Sequence, residues 1–369
     1  MTSTTPTQPS PLHNSRSPSE PFDIVTTYHH LLSADPDLTM PVAAIESLVL
    51  ALSSTPTLTI SETLALLSTH VATLKSAIPN PISLSAGTDL FQRYLISSLQ
   101  RPSSPDGDFE SVRRHLLTNG RLFVERAKQA REEIANFGRH FVRDGKTVLT
   151  NGGSRVVGSL LQSAAEASAG SVRFRVIYVL DSDNLHACTA AEHEHRGRAK
   201  RLEAEGTATV AGLRKRGVPV ATIPSSAVGY AMGEVDMVIV GAEGVVENGG
   251  IISRLGTYQM GLLAKSAGKP FYVVAESHKF VRLYPLSQFD LPIEQDVLRF
   301  VADETSGKSG KGVEFTDEAI DVEDGKAMKK NSIADSVDFT PPNLISGIIT
   351  EGGVLTPSAV SEELIKIWF

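Results

Sequence analysis

The chain has 369 residues, an apolar fraction of 41% and a formal net charge of -7. That length and apolar content suit two domains with buried cores, and the acidic balance argues against a nucleic-acid-binding face, which is usually basic. The single cysteine, Cys188, excludes an internal disulfide and fits a reducing, cytoplasmic setting. No apolar run approaches the ~20 residues that span a bilayer.

Residues 1–21 are rich in Ser, Thr and Pro and lack a hydrophobic segment. They read as a disordered tail rather than a signal peptide. Residues 22–143 carry helical periodicity and form the expected helical domain. Val42, Ile45, Val49 and Leu52 follow Pro41, a good first-turn proline. Thr59-Ile60-Ser61-Glu62 has the form of a capping box ahead of Leu64, Leu67, Val71 and Leu74. A longer apolar stripe from Phe109 to Phe141 predicts one long helix or two in line, with Asn119-Gly120 as the break. Its polar face carries Arg113, Arg114, Arg121, Arg126 and Lys128 among acids. Such a face is either solvated or a docking surface for a protein.

From residue 144 to 369 the texture becomes that of a Rossmann-like α/β domain. Short runs rich in β-branched residues alternate with helical segments, as in a parallel sheet. The predicted strands are Thr147–Thr150, Arg173–Leu180, Val218–Ile223, Val235–Val240 and Pro270–Ala275, with a helix from about Ile251. Thr340-Pro341-Pro342 and Thr356-Pro357 each predict a capped start for the last two helices. Residues 304–336 are polar, then acidic, and read as a mobile surface insertion. Within them, Gly307-Lys308-Ser309 is not a phosphate loop, because Ala302 stands where the motif needs glycine. His193 and His195 are two apart and share no helix face, so no metal site is expected there. Cys188 has no evident base beside it and reads as non-catalytic.

Ligands bind at the carboxyl ends of strands in an open α/β sheet. Those ends supply Asn151-Gly152-Gly153-Ser154-Arg155, then Asp181-Ser182, Ser225-Ser226, Glu243 with Asn248 and Arg254, and Glu276-Ser277-His278-Lys279. Glycine amides and a helix start favour an anion. Arg155, Arg254 or Lys279 would meet a phosphate, and acids would meet hydroxyls, so a small phosphorylated polyol fits the set. For any one of these glycines the alternative is a plain strand-to-helix turn.

At these residues the chain resembles the alpha-subunit family of eukaryotic translation initiation factor 2B. The resemblance is carried by the runs Gly241–Gly250, Gly256-Thr257, Lys269–Arg282, Gly353–Ser361 and Glu363–Lys366, with Ser154–Val157 and Ala227–Tyr230. It covers about residues 22–369 outside the insertions. The wider family includes methylthioribose-1-phosphate and ribose-1,5-bisphosphate isomerases. The resemblance places Gly152 where those enzymes carry a cysteine and Glu243 where they carry an aspartate. It therefore implies a regulatory, non-catalytic subunit without a cofactor, whose former sugar-phosphate pocket still takes a sugar phosphate or nucleoside monophosphate. The implied pocket residues are Asn151, Gly152, Gly153, Ser154, Arg155, Glu243, Asn248, Arg254 and Lys279. The implied partners are a second copy, the beta and delta subunits of the exchange factor, and the phosphorylated alpha subunit of initiation factor 2, met through basic residues such as Arg113, Arg114 and Arg121. An isomerase is the alternative. The chain departs from the family in its tail, in residues 183–195, in the 304–336 insertion, and in Arg254 where lysine is frequent.

Overall fold

The computed structural model describes residues 22–35, 38–55, 57–78, 80–100, 109–168, 172–180, 196–295, 297–298 and 336–368. The expected tail, the stretch holding Asp181, Ser182, Cys188, His193 and His195, and the insertion up to residue 335 lie outside them.

Five helices come first: α1 (Ile24–Ala34), α2 (Met40–Ser54), α3 (Ile60–Ala77), α4 (Ile82–Gln100) and α5 (Phe109–Gly138). Asp23 opens α1 by accepting from the amides of Val25 and Thr26, the ordinary repair of unpaired first-turn donors. Thr59 opens α3 by accepting from Glu62 N at 3.1 Å. The Glu62 carboxylate reaches one residue further back, to Leu58 N at 2.8 Å. The helices bury Tyr28, Leu48, Leu67, Leu74, Phe91 and Leu116 in one apolar core.

Helix α5 runs unbroken through Asn119-Gly120. The glycine is there for contact rather than for a break. A Cβ at position 120 would lie 2.8 Å from Val49 Cγ2 and 3.4 Å from Phe91 Cζ, so its absence lets α2 and α4 approach the long helix. The last turns of α5 serve a different core, since Ile134 packs with the apolar residues under the sheet.

The remainder is β1 (Thr147–Asn151), α6 (Arg155–Ala167), β2 (Arg175–Val179), α7 (Arg196–Lys215), β3 (Val220–Ile223), α8 (Val228–Ala231), β4 (Met237–Gly241), β5 (Gly244–Val246), β6 (Ile251–Arg254), α9 (Thr257–Ser266), β7 (Phe271–Val274), β8 (Phe280–Val281), β9 (Val337–Thr340), β10 (Gly347–Thr350), β11 (Gly353–Leu355) and α10 (Val360–Trp368). The main sheet has the order β11-β10-β7-β4-β1-β2-β3. Only the β10–β11 pair is antiparallel. All five predicted strands are present, with ends within two residues of expectation. They are short and rich in β-branched residues; β1, β4 and most of β7 are buried, as strands covered on both faces must be, whereas the edge strand β3 exposes Ala221 and Thr222.

Two expectations fail. Ile251 begins strand β6, not a helix. Ile251 and Ile252 are wholly buried and pair antiparallel with β5 and with β9. The helix waits for Thr257. Likewise Thr340 closes β9 and opens no α-helix: Pro342–Leu344 is a single 3-10 turn leading into β10. Thr356-Pro357 does lead, through the turn Pro357–Ala359, into α10.

These residues build a second sheet of order β8-β5-β6-β9. Strand β9 sits at its margin, where unpaired backbone groups would invite another chain. Two side-chain amides occupy that edge. Gln288 accepts from Phe339 N and donates to Phe339 O, both at 2.7 Å. Gln295 accepts from Val337 N at 2.6 Å and donates to Val337 O at 3.1 Å. Residues 337 and 339 are the two of β9 that face away from β6, so the pair imitates a fifth strand.

The Gly120 contact gives a prediction opposite to helix propensity. Glycine to alanine in an exposed helix gains about 1 kcal/mol. Here Gly120→Ala must push against the buried Val49, and overpacking costs about 1–3 kcal/mol. The expected outcome is a lower melting temperature, read by circular dichroism; a rise would refute the packing argument.

Candidate functional site

The strand order reverses between β1 and β4: the crossovers run from β1 to β2 to β3 on one side, and β4, β7 and β10 lie on the other. That reversal opens a crevice outside the carboxyl ends of the two strands. Strand β1 delivers Asn151 and Gly152 to it, and β4 delivers Gly241, whose Cα position lies against Ser154. Ser154 caps α6, its Oγ accepting from Val157 N at 3.5 Å.

Gly152 has a φ of +67°, a region that side chains avoid. A Cβ there would also lie 2.7 Å from Arg254 Cδ and 3.3 Å from its Nη1. The Arg254 side chain therefore lies across the glycine turn. Beneath it, Asn151 Nδ2 donates to Thr257 Oγ1 at 3.0 Å, and that hydroxyl donates to Arg254 O at 2.6 Å. The Gly152 carbonyl accepts from the Tyr178 hydroxyl. Burial pushes that phenol up to about 12, outweighing Thr209 and Arg254, so it stays a donor. Asn151, Gly152 and Arg254 are thus brought together, with Tyr178 and Thr257, which sequence reasoning did not single out. Tyr178 carries no motif signal, whereas Thr257 stands within the Gly256-Thr257 pair.

The other expected residues have different surroundings. The Arg155 guanidinium donates to Leu38 O and pairs with Glu205 Oε1 at 2.7 Å. It joins the entry of α2 to α7. Glu243 Oε2 accepts from Asn80 Nδ2 at 2.8 Å, and Asn80, wholly buried, also accepts from Ile82 N through its Oδ1 at 3.2 Å. Asn248 lies at the tip of the β5–β6 hairpin. Its Oδ1 accepts from Gly250 N at 2.9 Å and its Nδ2 donates to Pro285 O at 2.7 Å, so both ends of the amide hold loops. Ser225 and Ser226 follow β3 at the sheet margin, two strands away from β1.

Lys279 is paired with Glu276 at 3.0 Å in the turn after β7, both groups nearly inaccessible. Burial alone would raise the Glu276 carboxyl; Lys279 and His278 overcome it and hold it at about 2. His278 is buried, and its Nε2 has no hydrogen-bond partner among the described residues. Burial drops it to about 4, against the pull of Glu276. A group whose folded value is depressed contributes stability above its unfolded value and loses it as pH falls. We expect the melting temperature to fall from pH 6.5 to 4, with a shallower slope in His278→Gln; parallel profiles would contradict this account of His278.

Comparison with known proteins follows the same outline. Residues 33–357 match the Initiation factor 2 subunit family. The chain is 33% identical over 352 residues to translation initiation factor eIF2B subunit alpha of Dictyostelium discoideum, covering 94% of this chain and 97% of that one. It is 31% identical over 287 residues to ribose 1,5-bisphosphate isomerase of Archaeoglobus fulgidus, covering 77% and 74%. Its fold matches the crystal structure of the tetrameric eIF2B-beta2-delta2 complex from C. thermophilum with a TM-score of 0.65 at 17% identity, over 93% and 94% of the two chains. With the family match spanning most of its length, the chain belongs to the initiation factor 2 subunit family.

Proposed function

We propose that this chain is a regulatory, non-catalytic subunit of the guanine-nucleotide exchange factor for initiation factor 2, and that it senses the phosphorylated alpha subunit of that factor. The observation that carries the reading is the near full-length likeness to an alpha subunit, which extends through the helices as well as the sheet. It acts in the cytoplasm, pairs with a second copy and joins beta and delta subunits. Residues 22–143 form its helical domain and 144–369 its α/β domain.

The helical face is where the geometry narrows the choice. Arg113 is not offered to a partner: its Nη2 donates to Leu52 O, Ser53 O and Thr55 O at 3.0–3.4 Å, closing the carboxyl end of α2. Lys128 is paired with Glu46 at 3.4 Å. Arg114 and Arg121 are exposed on α5 and lie seven residues apart, two turns or about 10 Å along one face. Of Arg113, Arg114 and Arg121, charge-assisted pairing with a phosphoryl group is left to the latter two.

The crevice is read as a ligand site without turnover. Gly152 replaces the thiol of the isomerases, and Glu243, one methylene longer than aspartate, is held by Asn80. A sugar phosphate or nucleoside monophosphate fits beside Asn151, Gly152 and Arg254. The isomerase relative keeps the second reading in play.

The deciding measurement is GDP release from initiation factor 2 by the reconstituted exchange factor, with and without this chain, on phosphorylated and unphosphorylated substrate. Inhibition by phosphorylated substrate is expected only when the chain is present. The double variant Arg114→Glu with Arg121→Glu is expected to weaken that inhibition severalfold while leaving release from unphosphorylated substrate unchanged. Equal inhibition without the chain would end the sensor reading. Turnover of ribose 1,5-bisphosphate that Glu243→Gln abolishes would replace it with the isomerase.

A further inference from the structure

Strand β9 carries a carboxyl group that neither the ligand site nor the partner surfaces use. Asp338 is 5% exposed. Its Oδ2 accepts from Gly256 N at 2.7 Å and from Tyr258 N at 3.0 Å. Its Oδ1 has no hydrogen-bond partner among the described residues. The side chain reaches across from the second sheet and seizes the first turn of α9, the turn that holds Thr257 against Asn151 and the Arg254 carbonyl. Gln288 and Gln295 fix the backbone on either side of it, at Phe339 and Val337. One strand residue thus stands two hydrogen bonds away from the glycine turn of the crevice.

We propose that Asp338 is a proton-operated pin for the crevice: neutral, it holds the first turn of α9 and with it Thr257, Asn151 and Arg254 in register; ionised, it lets that turn open. The deduction that the turn shapes a ligand site rests on the reading given under Proposed function; the pin itself does not.

Physical chemistry gives the direction. A buried carboxylate with one oxygen unpaired is costly, and the cost disappears if that oxygen carries a proton or meets water. Burial raises the carboxyl to about 7, and the amides of Tyr258, Gly256 and Thr257 oppose the rise without reversing it. The charged and titratable groups on the neighbouring elements do not offset it. Strand β6 places Ser253 opposite Asp338 and Arg254 opposite Val337, and Arg254 is turned toward Gly152. Helix α9 brings Tyr258 and Lys265, the latter bound to Asn343 O. The segment leading to Gln295 brings Asp290, bound to the amides of Leu286 and Ser287, and Glu294. A group raised in the folded state supports that state fully below its unfolded value and loses the support as pH rises through its folded value. The open turn, with Asp338 in water at an ordinary carboxylate value, therefore gains on the closed one by roughly tenfold per pH unit as pH rises toward 7, and the gain levels off above 7, where both forms are ionised.

The test uses the full chain. Amide hydrogen exchange is followed between pH 5.5 and 8.5 and corrected for intrinsic rates. Peptides across residues 255–262 are compared with peptides inside α6 as an internal reference. In the wild type, protection of the α9 turn is expected to fall by up to tenfold per unit from pH 5.5 to 7 and to level off above 7, while α6 does not follow. Asp338→Asn, which has the shape of the neutral acid, should flatten the profile and keep the turn protected at pH 8.5. Should that variant not fold, the wild-type contrast between α9 and α6 decides. A turn that tracks α6 across the range, or a variant with the wild-type slope, overturns the pin.

Melting temperature with and without millimolar ribose 5-phosphate is then measured at pH 6 and 8.5 in both proteins. A shift that shrinks at the higher pH in the wild type and less so in Asp338→Asn links the pin to the site. No shift at either pH alongside a pH-dependent turn removes the ligand reading and leaves the pin. A shift of equal size at both pH values in both proteins overturns the link between them.

Discussion

Between β1 and β4 the direction of the crossovers changes, and no connection passes over the gap. The chain must therefore close two strand ends against each other with its own side chains and turns. It does so with a left-handed glycine at 152, an arginine laid over that glycine, and a serine cap seated on Gly241. Most of what surrounds the crevice depends on this closure. The β5–β6 hairpin leaves β4 at this point and returns Arg254 to it. Helix α9 begins where the hairpin ends, and β9 holds the start of α9.

The junction between the helices and the sheet combines polar ties with apolar packing. Arg155 reaches Leu38 O and Glu205, Asn80 reaches Glu243, and the Glu276–Lys279 pair lies in the turn after β7. Buried pairs of this kind add little net stability, because desolvation consumes most of the attraction. Each fixes an orientation, since breaking one leaves a charge stranded. Apolar packing supplies the adhesion, as where Gly138 lets α5 descend onto Leu160. His278 and Asp338 then act on stability with opposite sign. His278 withdraws support as pH falls toward 4, and Asp338 withdraws it as pH rises toward 7.

The parallel strands were legible because each is a short β-branched run between turns, and that texture depends on local composition. The β5–β6 hairpin was not, because its strands are three and four residues long and buried on both faces, with none of the alternation that marks a half-exposed strand. Asn248 looked like a ligand contact because a polar, glycine-rich turn has one composition whether it faces a phosphate or a hairpin bend. Arg113 and Arg155 show the general obstacle. A sequence displays an arginine's charge, but the carbonyls these two bind belong to residues about 60 and 117 positions away. Asp338 was missed because one acid in the run Ser336–Pro341 has no local pattern; only the fold sets it against Gly256. Asn151, Gly152 and Arg254 could be anticipated because strand ends are where a sheet of this order gathers its ligands.

Proton transfer to a bound sugar needs a group that titrates near neutral pH within reach of the reacting atoms. Tyr178, beside the glycine turn, is held near 12, and Glu276 and His278, in the turn after β7, near 2 and 4. Two of the cations that would greet a phosphate already face carboxylates at 2.7 and 3.0 Å, so an incoming anion must compete for them. What the crevice retains is hydrogen-bond geometry: a left-handed glycine turn, a phenol held protonated, and an arginine laid across the turn. On the proposed reading, that inventory serves recognition rather than turnover. The carboxyl that does sit near 7, Asp338, is behind the first turn of α9 with one oxygen held by two backbone amides, where on the proposal above its proton changes the shape of the site.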